Sequence, residues 1–371
     1  MITIKEIVDK KEMKAFVKFP FKLYKDNPYW VPPLINGQLE AFDKTINPVF
    51  ENATARFFVA IKNNEIVGRI VIIINNFDLK EDVNKVRFGW LDFIDDKEVS
   101  KLLLKKAEEI GKEHHLEYME GPMGFSNLDE VGFLTEGYNH IGTMASWYNY
   151  PYYIDHLKEL GFNVEKEYVE NKFSFKNVEN KKLERVSAMV EKRYGFKPLN
   201  FTRTKDVMPY VDEMFDVFNE SYVSLESFVP ISPAQKAYFR KKYIQFINPE
   251  YIKFVTDKDD KLIAFAITMP SFSKALQKAK GEIFPFGWYH LLKAKNSSKD
   301  MLFFLIGTVP KHHNKGVPSI IFNEFYKTFN KLKVENCFRT PELANNTAVS
   351  ALWSGFGQET YKRRCTFRKD F

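Results

Sequence analysis

At 371 residues, with 44% apolar and 28% charged side chains, the chain is long enough to bury two cores, and its composition excludes a disordered or low-complexity protein. A formal charge of +7 is modest for this length, and the Lys and Arg residues are dispersed rather than striped along one helix, so no nucleic-acid partner is expected; a small polyanion or an anionic membrane surface suits the same sign. There is no run of about 18 apolar residues and no basic-then-apolar leader, which predicts a cytoplasmic protein without a transmembrane segment.

In chain order, residues 1–8 alternate as a short strand, and 11–24, with apolar Met13, Phe16, Val17 and Phe21, predict a helix that Pro20 kinks or ends early. Residues 27–34 (NPYWVPPL) form an extended aromatic and proline segment that either closes a pocket or covers the core. Residues 56–61 and 65–74, joined by Lys62-Asn63-Asn64, predict a hairpin. A strand over 86–94, a helix over 97–114 capped by Asp95-Asp96, a strand over 116–120, a glycine-rich loop over 121–144 and a helix over 150–160 follow, and one or two strands over 162–175 close the first half.

The second half repeats much of this. A helix over 183–194 leads to a segment capped by Thr204 and interrupted at Pro209, then to a helix over 233–246. A second hairpin over 251–256 and 262–269 aligns without a gap on the first, Val59 on Val255 and Ile66-Val67-Gly68 on Leu262-Ile263-Ala264. Both halves also end alike, Leu160-Gly161-Phe162 against Ser354-Gly355-Phe356. The expected domains are therefore 1–178 and 179–371, with an aromatic insertion over 270–299 that either walls an acceptor or acyl pocket, lies on a membrane, or packs as a helical hairpin. Cys337 and Cys365 fall in strands and are expected to be packed thiols.

The most informative stretch is 302–325. An apolar strand weakens at Gly307 and Thr308, stops at Pro310, passes through the basic turn 311–315, and enters a helix at Gly316 and Pro318, with Ile320, Ile321, Phe325 and Phe329 near one face. A strand that runs through such a turn into a helix aims backbone N–H groups and the positive end of the helix dipole at one point, which suits a phosphate.

This stretch resembles the R/Q-x-x-G-x-G/A cofactor motif of the GNAT acyltransferases. His313 stands at the Arg/Gln position, Gly316 matches the first Gly, and Pro318 replaces the last Gly or Ala. The co-occurrence of NPYWVPPL, FVAIKNNEIVGRI, GPMGFSN and IFPFGW resembles a group of bacterial tandem GNAT proteins over nearly the whole chain. The resemblance implies an α/β (α+β) fold of two tandem GNAT-like domains, each a mixed, mostly antiparallel sheet flanked by helices. In the first domain Asp92, Asp95, Asp96 and Glu98 occupy the phosphate position and would repel it, so that domain is expected to have lost its cofactor site.

For the second domain the resemblance implies acetyl-CoA or another acyl-CoA as cosubstrate, held by Thr308, Val309, His313, Asn314, Lys315, Gly316, Val317, Pro318, Ser319 and Asn346, and transfer to an amine that is a small molecule or lipid-like. Glu342 is the candidate base. GNAT proteins often place a Tyr acid where this chain has Trp353; an indole cannot donate as a phenol does, which leaves Tyr361 as candidate acid, with Tyr326 or water as alternatives. No metal is expected, because His312 and His313 have no second ligand cluster. Tyr361-Lys362-Arg363-Arg364 is expected in a final strand, at an exposed edge. Two rival readings are a non-catalytic CoA-binding or regulatory protein and an aminoacyl transferase fed by tRNA, the latter requiring a basic groove that the dispersed charge does not supply.

Overall fold

The structure, a computed structural model, describes residues 1–225, 228–244, 247–353 and 355–371. Phe246, the expected end of one helix, and Ser354, part of the repeat at the close of the second half, lie outside the described residues.

Runs of β-branched and aromatic residues set the strands, and turn chemistry sets their pairing. The strands are β1 (Ile2–Glu6), β2 (Ala53–Lys62), β3 (Glu65–Asn75), β4 (Lys85–Phe93), β5 (Tyr118–Gly121), β6 (Phe133–Glu136), β7 (Asn163–Ser174), β8 (Lys197–Asn200), β9 (Ile252–Thr256), β10 (Leu262–Pro270), β11 (Asp300–Thr308), β12 (Asn336–Arg339), β13 (Glu342–Leu343) and β14 (Glu359–Asp370). Asn63 and Asn64 both adopt left-handed backbone, the geometry of a two-residue hairpin turn, and β2 pairs antiparallel with β3 as expected. β9 and β10 form the second hairpin. The 121–144 region, read as loop, contains the short strand β6, and Lys197–Asn200 adds the edge strand β8, which the sequence pattern does not announce.

Among the described residues all the strands join one sheet, in the order β1-β2-β3-β4-β5-β14-β7-β12-β11-β10-β9-β8, with β6 on β14 and β13 on β7. The chain's last strand thus lies beside β5 of the first half, and β7 of the first half lies beside β12 of the second. This corrects the expectation for Tyr361-Lys362-Arg363-Arg364. The run sits in the middle of the sheet rather than at an edge, with Lys362 and Arg364 almost fully buried. Burial of two cations is tolerated because the carboxylate of Glu170 on β7, itself fully buried, pairs with both and accepts from the Tyr361 hydroxyl at 3.2 Å.

The helix Lys10–Leu23 is not ended by Pro20, which sits in its last turn. The carbonyl four residues earlier, on Phe16, loses its helical donor to the proline ring and accepts instead from the Arg69 guanidinium at 3.1 Å. The region read as one segment from Thr204 breaks at Pro209 into a short helix (Thr204–Val207), a 3-10 turn and the helix Val211–Tyr222. The insertion over 270–299 is a pair of helices, Ser273–Ala279 and Gly287–Ser297. Cys337 and Cys365 are buried free thiols in β12 and β14.

The Glu170 cluster yields the first prediction. Glu170→Ala leaves two buried cations without a counter-charge, which costs about 3–5 kcal/mol in comparable cases. Urea unfolding should register a loss of that size, whereas Glu136→Ala, on an exposed ion pair with Arg363, should change stability by about 1 kcal/mol or less.

Candidate functional site

Each half contains a strand-to-helix turn at which a phosphate could lie, and the two turns differ. In the first half β4 leads through Ile94-Asp95-Asp96 into the helix Lys97–Glu113. The Asp96 carboxylate accepts from the Glu98 N–H at 3.0 Å and from Lys62 at 2.8 Å, so a carboxylate already serves the helix N-terminus. The Lys62 hydrogen bond holds Asp96 below the usual carboxylate range. The end of β4 is closed as well. The Phe93 N–H donates to the Tyr153 hydroxyl at 3.0 Å, the two rings stack 4.1 Å apart, and Tyr153 joins Tyr24, Asp92 and Arg69 in a buried network.

In the second half β11 passes Val309, whose N–H donates to the Ile263 carbonyl at 2.9 Å, into a 3-10 turn over Pro310–Lys315 and then into the helix Val317–Leu332. Among the described residues no side chain caps this helix. Gly316 precedes it in left-handed backbone (φ 74°), and a Cβ there would come within 2.9 Å of Val190, so both conformation and space require glycine. His313 and Asn314 are exposed, Lys315, Pro318 and Ser319 half-buried, and the side chains of Thr308, Val309 and Val317 buried. His313 is tied back to the Thr308 carbonyl at 2.8 Å, and the Ser319 hydroxyl donates to the Gly316 carbonyl at 2.7 Å. His312 packs edge-on against Phe196, and burial together with Lys315 and Lys311 lowers its pKa.

Beyond this turn the sheet opens. Parallel pairing of β11 with β12 stops at Phe303 and Arg339, and the next residue, Phe304, bulges from β11 opposite Ile267-Thr268. Glu342 lies at this opening, its carboxylate accepting from Asn171 at 2.9 Å and paired with the buried Arg339. Burial outweighs the attraction of Arg339 and raises the Glu342 pKa, and it lowers that of Arg339 to about 10. Tyr222, which no sequence pattern singles out, donates to the Ile306 carbonyl at 3.0 Å and is near enough to Glu342 to feel its charge; burial pushes its phenol up to about 12. Asn346 caps the helix Thr347–Trp353 through the Val349 N–H at 3.1 Å. Trp353 is buried among Phe303, Phe322 and Phe173 with the Arg339 guanidinium over its ring, and so serves as core rather than as a proton donor.

The two side chains expected to share proton transfer are separated. Glu342 contacts Asn171 and Tyr361 contacts Glu170; consecutive residues of a strand face opposite sides, so Glu342 and Tyr361 lie on opposite faces of the sheet. Tyr361 borders a cleft of about 340 Å³ between the two halves, lined also by Thr143, Ser273, Tyr289, Lys293 and Leu302. At about 3.3 Å per residue, Leu302 lies on the order of 20 Å along β11 from Thr308. Among the described residues no group of three His, Cys, Asp or Glu side chains could hold a metal ion.

A tandem GNAT protein from the clavulanic acid biosynthesis pathway superposes over 100% of this chain and 98% of its own, with a TM-score of 0.59 at 10% identity. The chain has the tandem GNAT fold. A GCN5-related N-acetyltransferase from Sphaerobacter thermophilus (TM-score 0.53, 8% identity, 100% and 95% of the chains) shares this fold. By sequence, Protein YghO of Escherichia coli K12 is 25% identical over 379 residues, covering 99% of this chain and 95% of its own. A bacterial ceramide synthase of Caulobacter vibrioides is 24% identical over 286 residues, 76% and 73% of the two chains. No family model matches. Within the GNAT fold, the contrast between a carboxylate-capped first turn and an uncapped, glycine-led second turn gives a test. Tyr153→Phe, which orphans the Phe93 N–H, should cost about 1–3 kcal/mol of stability in thermal unfolding and leave any affinity for CoA, read by calorimetry, unchanged.

Proposed function

We propose that this protein is an acyl-CoA-dependent N-acyltransferase whose second half holds the acyl-CoA and whose first half shapes the acceptor side. The observation that carries this reading is the uncapped start of the helix Val317–Leu332, led by left-handed Gly316 and flanked by Lys311 and Lys315, against its counterpart already closed by Asp96. The backbone N–H groups of residues 314–317 would hold the pyrophosphate, as a helix N-terminus favours an anion, and backbone N–H groups at the open end of β11 would polarise the thioester carbonyl. The acceptor nitrogen attacks that carbonyl, the C–S bond breaks, the ammonium proton passes to Glu342, and the leaving thiolate takes a proton. Tyr222, beside Ile306 and Glu342, is better placed for that last step than Tyr361, which faces the cleft on the other side of the sheet. The relative named bacterial ceramide synthase supports a lipid-like amine as acceptor, since a ceramide is an N-acylated long-chain amino alcohol.

A non-catalytic CoA-binding protein is the second reading, favoured by the burial of Trp353 where a Tyr acid is often found. Titration with CoA, acetyl-CoA and a long-chain acyl-CoA separates the two when followed by an amine-acceptor assay. Saturable binding with turnover is expected; binding without turnover of any amine supports the second reading, and no binding to any of the three defeats both. Gly316→Glu would strain a left-handed residue and crowd Val190, so Lys315→Glu is the cleaner probe and should weaken binding about tenfold through its reversed charge beside a phosphate.

Glu342→Gln should lower kcat/KM by about 10²–10⁴-fold, the usual worth of a general base, with CoA affinity retained. Because burial raises the Glu342 pKa, the acid limb of the wild-type profile should lie above the 4.5 of an ordinary Glu. Activity should be present above that limb and lost as pH falls through it. A limb at 4.5 or below would remove Glu342 from the reaction.

A further inference from the structure

The insertion between β10 and β11 is fixed at its base and bare at its tip. At the base, the Ser273 hydroxyl donates to the Gly142 carbonyl at 2.8 Å, the Gln277 amide donates to the Pro28 and Trp30 carbonyls at 2.8 and 2.9 Å, and the Ile35 N–H donates to the Gly281 carbonyl at 2.8 Å. The tip that follows exposes Phe284 (75%), Phe286 (71%), Trp288, Tyr289 and Leu292 within nine residues. Large apolar side chains this exposed on a firmly anchored element mark a contact surface.

Charge says what the surface meets. Residues 270–299 hold six lysines and one glutamate, a net +5 out of the chain's +7. The glutamate, Glu282, is already met by Lys18 at 3.7 Å, while among the described residues Lys274, Lys278, Lys280 and Lys293 are exposed with no carboxylate at ion-pair distance. Exposed aromatics and unpaired lysines on one insertion suit an anionic bilayer, where the rings enter the acyl boundary and the ammonium groups stay at the headgroups. The Trp288 indole N–H is satisfied within the tip, donating to the Pro285 carbonyl at 2.9 Å, so the ring can leave water without orphaning a donor. Among the described residues no helix is long and apolar enough to cross a membrane.

We propose that Ile283–Leu292 docks the protein on anionic lipid bilayers. Tyr289 and Lys293 belong to the tip helix and also line the cleft between the halves, which therefore opens beside the docked surface and would take an amphiphile presented by the bilayer. That last clause rests on the acyl-transfer reading; the docking does not.

The test is co-sedimentation of the full chain with vesicles of phosphatidylcholine alone or with 30% phosphatidylglycerol (about a third anionic lipid, enough for a negative surface potential). The wild type should pellet with the anionic vesicles and remain in solution with the neutral ones. Phe286→Ser/Trp288→Ser should lower the bound fraction about tenfold or more through lost apolar burial. Lys278→Glu/Lys293→Glu should abolish the preference for anionic lipid. All four positions are exposed, so both variants should keep the wild-type melting temperature, and their CoA titrations should match the wild type's whether or not CoA binds. Equal pelleting with both vesicle types, no loss in either variant, or a wild-type dimer dispersed by Phe286→Ser/Trp288→Ser would each overturn the proposal.

Discussion

At the centre of the sheet the Glu170 carboxylate, with no exposed surface, faces Arg364, Lys362 and the Tyr361 hydroxyl across the seam between β7 and β14. Two cations and one anion out of water are sustained only by mutual attraction and full hydrogen bonding. Lys362 also donates to the Ile141 carbonyl at 2.9 Å and Arg364 to that of Gly132 at 3.2 Å, so the cluster ties β14 to the loops of the first half as well as to its last strand. Burial lowers the Lys362 pKa to about 8, and the two cations hold Glu170 below its ordinary value. A lowered carboxylate contributes stability above its unfolded pKa, and that contribution is lost as pH falls through the folded one.

The same seam places the two candidate regions. Glu170 and Asn171 are neighbours in sequence and face opposite sides. Glu170 governs the cleft face with Tyr361, whereas Asn171 holds Glu342 at the opening between β11 and β12. A change to one strand therefore reaches the cleft on one side and the proposed chemistry on the other, and neither region belongs to a single half of the chain.

Much of this architecture was legible from local pattern. Asn63-Asn64 specifies a tight hairpin because both residues tolerate left-handed backbone, and the acid-rich start of the helix Lys97–Glu113 foretold a turn closed by its own carboxylate. The aromatic insertion was visible as a segment, but which of its rings face solvent depends on anchors at Gly142, Pro28 and Ile35, far away in sequence. The central position of the basic run Tyr361–Arg364 was illegible for the same reason: Lys and Arg read as edge or surface, and only a Glu almost two hundred residues earlier makes them interior. Tyr222 escaped notice because a tyrosine ending an amphipathic helix looks like packing until the Ile306 carbonyl is placed beside it.

The arrangement of β14 also bears on how the protein is made. Phe367 and Cys365 belong to the apolar core that β4, β5 and the helix Lys97–Glu113 build early in the chain, and Thr366 donates to Glu120 across a separation of 246 residues. During synthesis the first half must therefore remain without its inner strand until β14 leaves the ribosome, with the β5 side of its sheet unpaired while the intervening residues are made. Such non-local closure slows folding and prolongs exposure of a pairing edge, so a stop ahead of β14 would leave the first half, synthesised long before, unable to complete its core.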